Sequence, residues 1–522
     1  MFCQKCNLAL KIILAIGAIF AHSISLGDSM RKFITTKGGV PTSFDPLNAD
    51  SSENFHVALM MYLTPIELSV HDELRSTLLS EFSYDRTLNK MTWIVKDGPT
   101  FSDGSKITPE DVAFSVSRMA FSKPNFPVLQ NIVGIGAWIA SKNPLATFPP
   151  GIKIFGQKII VSFDKPVRHP LARFVLTTFS VIPRKCVDLI SNKLTCDTPV
   201  SSGYFRLQKK EQGGRSWVFE RRKEYQELEN KKLPDLLAIE FWSPESVIKN
   251  LPQLDSNTVI RTHESSYTPE DLSLLKMHTQ QSTRNGSSFG CFNLNPKVKP
   301  FQELGCRKVF VDLFREQYQK LFQSSLPLES SLFTRLLPGY LQQSEFKKYE
   351  VKNRPDCLEK IKNNPPLYAN LIGHNDFSLF HKTMVKVYEK LGVTNINPIE
   401  INTRKEMREL FLAGKISLFV SSSQFWELDP GGDLKMFLTP NMHPPLKFVT
   451  EDLQLQALVS QVDSTEDPIK NRKYFEDINL FIYDQALLNV YSHFQMLLIA
   501  KKGRDFNSLK YSLTITKPWD VF

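Results

Sequence analysis

The stretch LLSEFSYDRTLNKMTWIVKDGPTFSDGSKITPEDVAFSVSRM, residues 78–119, decides the fold. Its middle, Met91 to Lys96, alternates: Met91, Trp93 and Val95 face one way, Thr92, Ile94 and Lys96 the other. Successive side chains of a strand point to opposite faces, so this run predicts a half-buried strand. Asp97-Gly98 stops it, and a second turn at Asp103-Gly104 follows Phe101. Thr108-Pro109-Glu110-Asp111 then reads as a helix start. Thr108 can cap free amides, Pro109 has the φ of a first turn, and the two acids suit the positive end of the helix. Val112, Val116 and Met119 recur at helical spacing. The unit is strand, double turn, capped helix.

Lys96, Asp97, Gly98, Phe101, Asp103, Gly104, Ile107, Thr108, Glu110, Asp111, Val112, Phe114, Ser115 and Arg118 stand in the order of a known signature. The stretch resembles the family 5 extracytoplasmic solute-binding proteins, the oligopeptide, dipeptide and nickel receptors of ABC importers. The resemblance implies an α/β, two-lobed periplasmic binding protein fold of the large, type II class, with an extra subdomain inserted in the first lobe. Most of these residues are expected to build the turn and helix that identify the fold rather than to touch a ligand.

Residues 1–25 read as a signal peptide. Lys5 and Lys11 give a positive front, Ile12 to Ala21 an apolar run, and Ala21-His22-Ser23 a small-x-small cleavage site. The run of about ten residues falls short of the roughly 20 that span a bilayer as a helix. The expected location is the periplasm, without a lipid anchor, because no cysteine closely follows the apolar run. Cys3 and Cys6 precede it and are absent from a mature exported chain.

The composition, 42% hydrophobic and 23% charged, is that of a globular protein, and 522 residues suggest two or three domains. The formal charge of +10 is spread over scattered basic pairs such as Lys209-Lys210 and Lys347-Lys348, a solvated surface rather than a nucleic-acid footprint. Five cysteines follow the leader. The local pairs Cys186–Cys196 and Cys291–Cys306 suggest bridges in an oxidising compartment, leaving Cys357 free; Cys186–Cys196 is the favoured one.

The family resemblance continues along the chain. Phe33-Ile34-Thr35 reads as a first strand, and Ser43-Phe44-Asp45-Pro46 resembles the motif that follows it in relatives. Gly136-Ala137-Trp138 falls in an expected loop. Residues 205–207 and 217–221 form a hairpin turned at Gly213-Gly214, and Leu233 to Trp242 holds a strand. Phe289 to Lys308 resembles the segment that crosses to the far lobe. The implied organisation is a first lobe starting at 26–65, an inserted subdomain at 66–175, the first lobe again at 176–288, a second lobe at 289–489 and a return at 490–522.

Two groups of candidate ligand contacts follow from the resemblance. Asn48, Asp50 and Ser51 lie just beyond the first strand, where relatives line the groove; they also suit an ordinary loop. The second group is Ser423, Gln424, Phe425, Trp426, Glu427 and Asp429. Peptide-binding relatives often place an aspartate four residues before the following proline, here Pro430, to pair the ligand's amino terminus. Trp426 occupies that position in this chain. Glu427 lies next to it, but a neighbour on a strand points the other way, and Asp429 is a further candidate. Trp426 could stack on a sugar or aromatic group, or fill core.

No HExxH, GxSxG, GxxxxGK[ST] or GxGxxG motif occurs, and the ten histidines lack metal-ligand spacing. The sequence therefore points to a binding protein rather than an enzyme, with no cofactor and no resident metal. The expectation is a monomeric receptor that closes on an oligopeptide and hands it to an inner-membrane ABC permease. The alternatives are a receptor of the same fold for a non-peptide solute, such as an oligosaccharide or metal chelate, and a sensing or interaction protein that no longer serves transport.

Overall fold

The computed structural model describes residues 30–36, 40–49, 52–124, 126–196, 198–211, 213–229, 231–322, 328–349, 354–371, 378–394, 397–401, 403–425, 430–431, 434, 452–465, 467–506 and 517–522. The expected signal peptide, residues 1–25, and Asp50, Ser51, Trp426, Glu427 and Asp429 lie outside them.

In chain order, β1 (Met30–Thr35) and helix α1 (Ser52–Met61) precede a small sheet. That sheet consists of β2 (Leu79–Asp85), β3 (Lys90–Val95), β4 (Ile152–Phe155) and β5 (Lys158–Ser162), in the order β2-β3-β5-β4. Helix α2 (Pro109–Ser122) falls between β3 and β4. β6 (Phe205–Lys210), β7 (Ser216–Arg221) and β8 (Leu236–Phe241) lead to α3 (Pro244–Asn250), β9 (Thr258–His263) and α4 (Pro269–His278). The long β10 (Thr279–Leu294) opens a second region with α5 (Leu304–Phe322), α6 (Pro355–Asn363), α7 (Ser378–Leu391), α8 (Arg404–Leu412) and β11 (Leu418–Gln424). Helices α9 (Leu453–Ser464) and α10 (Pro468–Gln485) and the long β12 (Leu488–Lys501) follow.

The deciding stretch folds as its residues dictate. Met91, Trp93 and Val95 are buried on β3, with Thr92 and Ile94 half-exposed on the other face. Thr108 and Asp111 form a reciprocal capping box at the start of α2, with Pro109 in the first turn. Gly136–Trp138, expected in a loop, instead lies in a short helix, Ile135–Ile139. It closes because Trp138 is buried and its indole N–H donates to Thr147 Oγ1 at 3.3 Å, a tertiary contact that two glycines in the local sequence do not advertise.

The eight-stranded main sheet runs β11-β10-β12-β9-β1-β8-β7-β6. β1 pairs in parallel with both β8 and β9; its other neighbours along the sheet pair antiparallel. Alternation on these central strands feeds two cores at once. Phe33 and Val259 point into the large first core with Trp93, Phe114, Phe174 and Trp217. Ile34 and Ile260 point the opposite way, into a smaller core with α3 and α4.

β10 and β12 run through both parts of the molecule. Their pairing extends from Thr279 opposite Lys501 to Asn293 opposite Leu488, with a register irregularity between Asn285 and Phe289. Such bulges bend a ribbon and raise its twist. Beyond the bulge, Phe292 and Leu294 enter a second core with Phe314, Phe380 and Phe411, and Phe289 enters a third with Phe333, Phe425 and Phe475. Helix α7 shows why these cores form: Phe380, Met384, Val387, Tyr388 and Leu391 line one face at helical spacing and are all buried.

Cys186–Cys196 is bridged, as expected. The second bridge is Cys306–Cys357, so the expected Cys291–Cys306 pair is wrong and Cys291 is the free thiol. Cys291 sits in mid-strand on β10, buried in the third core with its Sγ 3.1 Å from Ser421 Oγ. Cys306, in the first turn of α5, faces α6, where Cys357 lies at a Cα separation of 4.9 Å. Closeness along the chain lost to the packing of α5 on α6.

Candidate functional site: the carboxyl ends of the parallel strands

Ligands of open α/β sheets bind beyond the carboxyl ends of parallel strands. Here those ends belong to β1 and β9, where the chain leaves the sheet for the loop preceding α1. Thr35 and Arg261 are register partners across this pair and share the face of Phe33 and Val259. His263, buried, comes next on that face and meets the edge of Phe494 at 5.6 Å. Helix α1 covers the same face, with His56 against Phe33 at 5.8 Å and Glu53 buried in its first turn. Thr35 Oγ1, Arg261 Nε and Glu53 Oε2 are buried without a hydrogen-bond partner among the described residues. Burial pushes the Arg261 guanidinium down to about 10.

Of the sequence-expected contacts, Asn48 lies in the loop before α1. Its amide donates to Ser43 Oγ at 3.0 Å and its carbonyl accepts from Asn54 at 3.0 Å. It lines a shallow surface cavity with Ser43, Phe44, Lys123 and Asn192, all contributed by the part of the chain before β10. Ser423 and Gln424 end β11 opposite Phe289 and Ser288, and Ser288 Oγ donates to Gln424 Oε1 at 3.2 Å. Phe425 is buried against Phe289 and Phe333.

Two further features were not singled out from the sequence, and a third shows what a signature residue does. Arg168 Nη1, in the small-sheet region, donates to Val462 O at 3.2 Å and Thr465 O at 2.6 Å. Those carbonyls end α9, so a cation from one side of the molecule sits on the negative end of a helix from the other. A second cluster joins Glu329, Arg335, Tyr340 and His493. Arg335 meets buried Glu329 at 3.2 Å, Tyr340 donates to it at 3.4 Å, and His493 Nε2 lies 2.8 Å from Ser331 O. Burial lowers the His493 pKa, with Glu329 acting against it. Third, the signature residue Arg118 is buried and grips Asp45 with two bonds of 2.7 and 2.6 Å, while Asn192 accepts at 2.8 Å. This pair holds α2 to the loop after β1, a structural role.

For metals, Glu303, Cys306 and Cys357 bring donor atoms together, but both sulfurs are in the bridge and Lys360 pairs with Glu303 at 2.8 Å. No helix among the described residues is long and apolar enough to cross a membrane.

The fold is the two-lobed α/β fold of the periplasmic binding proteins. Residues 78–310 match the family model described as bacterial extracellular solute-binding proteins, family 5 Middle. No curated protein sequence matches the chain. Among solved structures, the periplasmic binding protein DppA from Helicobacter pylori in complex with the peptide STSA is similar, with a TM-score of 0.73 at 12% identity over 94% of this chain and 97% of that one. AgaA from Agrobacterium tumefaciens R10 in complex with agropinic acid gives 0.72 at 13% identity, over 94% and 97%. NikA from Brucella suis in complex with Fe(III)-EDTA gives 0.70 at 12% identity, over 94% and 99%. Over residues 78–310 the chain is thus similar to the family 5 bacterial extracellular solute-binding proteins, and along 94% of its length it shares the fold of these solved binding proteins.

Proposed function

We propose that this protein captures an oligopeptide in the periplasm by hinge closure and delivers it to an inner-membrane ABC permease, acting as a monomer after removal of residues 1–25. The observation that carries this reading is the pair of long strands, β10 and β12, that join two sets of cores through the bulge at 285–289. We place the crossing into the second lobe near Phe289 and the return near Val490, with 66–175 as the inserted subdomain. Two crossing strands with a bulge make a hinge whose bending costs little core packing, so ligand contacts on both sides can shift the open–closed equilibrium. Arg168 on the end of α9 is then a contact of the closed form. Asn48, Asp50 and Ser51 on one side, and Ser423, Gln424, Trp426, Glu427 and Asp429 on the other, are the proposed rims of the cleft.

Peptides suit such a cleft because their backbone groups can be held by hydrogen bonds while side chains vary. The similar structures also hold an opine and a metal chelate, which supports a non-peptide solute as the second reading. A thermal-shift screen of di- to pentapeptides against sugars, opines and metal chelates separates the two, with small-angle scattering to follow closure. Stabilisation by peptides with a fall in radius of gyration is expected. A response to sugars or chelates alone transfers the assignment to the second reading, and no ligand-dependent closure with any class refutes both.

A further inference from the structure

β9 is flanked on both sides, by β1 and β12, and covered on both faces. A charge on such a strand is costly unless something pairs with it. Arg261 is such a charge. Among the described residues its guanidinium has no ion pair and its Nε–H donates to no acceptor, and no carboxylate is near enough to offset the burial that lowers its pKa. Thr35, its register partner on β1, is fully buried and its hydroxyl also lacks a partner among the described residues. Two unmet donors therefore stand side by side at the carboxyl ends of parallel strands.

We propose that Arg261 and Thr35 form an anion-binding subsite that takes a carboxylate of the captured solute, an inference that rests on reading these strand ends as part of the solute site. The planar guanidinium matches a carboxylate in two parallel N–H···O bonds, and the adjacent hydroxyl can donate a third. One guanidinium and one hydroxyl balance a single negative charge, which a carboxylate brings and a phosphate dianion exceeds. An uncompensated cation also acts as a selectivity device, because a neutral solute would leave it buried and unpaired.

Matched probes test this. Isothermal titration with trialanine and trialanine amide, on wild type and on Arg261→Gln, Arg261→Lys and Thr35→Val, reads the preference for an acid directly. Melting temperature and far-UV circular dichroism report whether each variant is folded. The expected result is that wild type binds the acid roughly tenfold or more tighter than the amide. That preference collapses in R261Q, survives in part in R261K and weakens about threefold in T35V. Equal binding of acid and amide by wild type overturns the proposal, as does a preference that persists in folded R261Q. If neither peptide binds, the peptide assignment fails by itself, and succinate against succinamide becomes the deciding pair. Protection by succinate alone, lost in R261Q, supports the subsite; an equal or absent response overturns it.

Discussion

Replacing Arg168 by methionine removes the guanidinium that bridges two regions nearly 300 residues apart while keeping an apolar stem. Its Nη1 reaches Thr465 O at 2.6 Å and Val462 O at 3.2 Å, at the end of α9 where helical carbonyls lack intrahelical partners. Nη1 has one N–H for each carbonyl, but only the 2.6 Å contact has the length of a strong charge-assisted bond, so the pair counts as one such bond of about 1.5–3 kcal/mol. The side chain is only half-buried, which favours the lower part of that range, about 2 kcal/mol. If the bond exists only in the closed form, its loss lowers the closed population and multiplies the apparent Kd by about 30. Isothermal titration with the best ligand from the screen, together with scattering of the apo and bound protein, measures both quantities. Weaker binding with an unchanged melting temperature of the apo protein is expected. A Kd within about twofold of wild type and a normal compaction on binding would show that the contact is not part of closure.

Four other predictions follow from the geometry. Asp45→Asn leaves buried Arg118 with only Asn192 and a weakened partner, and should cost about 3 kcal/mol in denaturant unfolding; a loss under about 1 kcal/mol would sink the structural role given to this pair. Cys306→Ser with Cys357→Ser opens a loop with a sequence separation of 51, worth about 4 kcal/mol on the chain-entropy model, against about 3 for Cys186–Cys196 at a separation of 10. In a chain starting at residue 26, burial raises the Cys291 thiol to about 12, so a thiol reagent should find one cysteine only after denaturation; rapid labelling of the native protein would contradict it. His493 has a lowered pKa, so the unfolded chain takes up its proton first as pH falls. Stability should therefore decline below about pH 6.5, where a free histidine begins to charge, and His493→Gln should flatten the melting temperature between pH 7 and 5.5; an equal decline in the variant would rule His493 out as its cause.

Much of the fold could be read from local signals because those signals were also the tertiary ones. The strand at Met91 to Lys96 and the capped helix from Pro109 appear within a residue of where alternation and capping chemistry put them. Helix α7 likewise buries the face that its apolar stripe marks. Failures came where distance along the chain misled. Cys306 met Cys357 through helix packing, and Trp138 closed a short helix through Thr147. Of the candidate contacts, Asn48 proved to be held within its own loop, and Phe425 to fill core. Arg261 did carry a signal, a lone charge in the apolar run TVIRTH, but its meaning depends on both faces of the strand being covered.

The residues that mark the family and those that meet a solute answer to different constraints. Asp45 and Arg118 are tied to one another: a change in either strands a buried charge, so any chain with this loop and helix needs both. Thr35 and Arg261 come together only because β1 and β9 run parallel in one register, bringing residues 226 apart in sequence onto one face. Neither needs the other to keep the sheet intact. A descendant of this chain that changed its cargo from an acid to a neutral solute would therefore have reason to replace Arg261 and none to touch Arg118. The signature identifies the scaffold for that reason, while the choice of solute rests on cross-strand neighbours that no linear motif records.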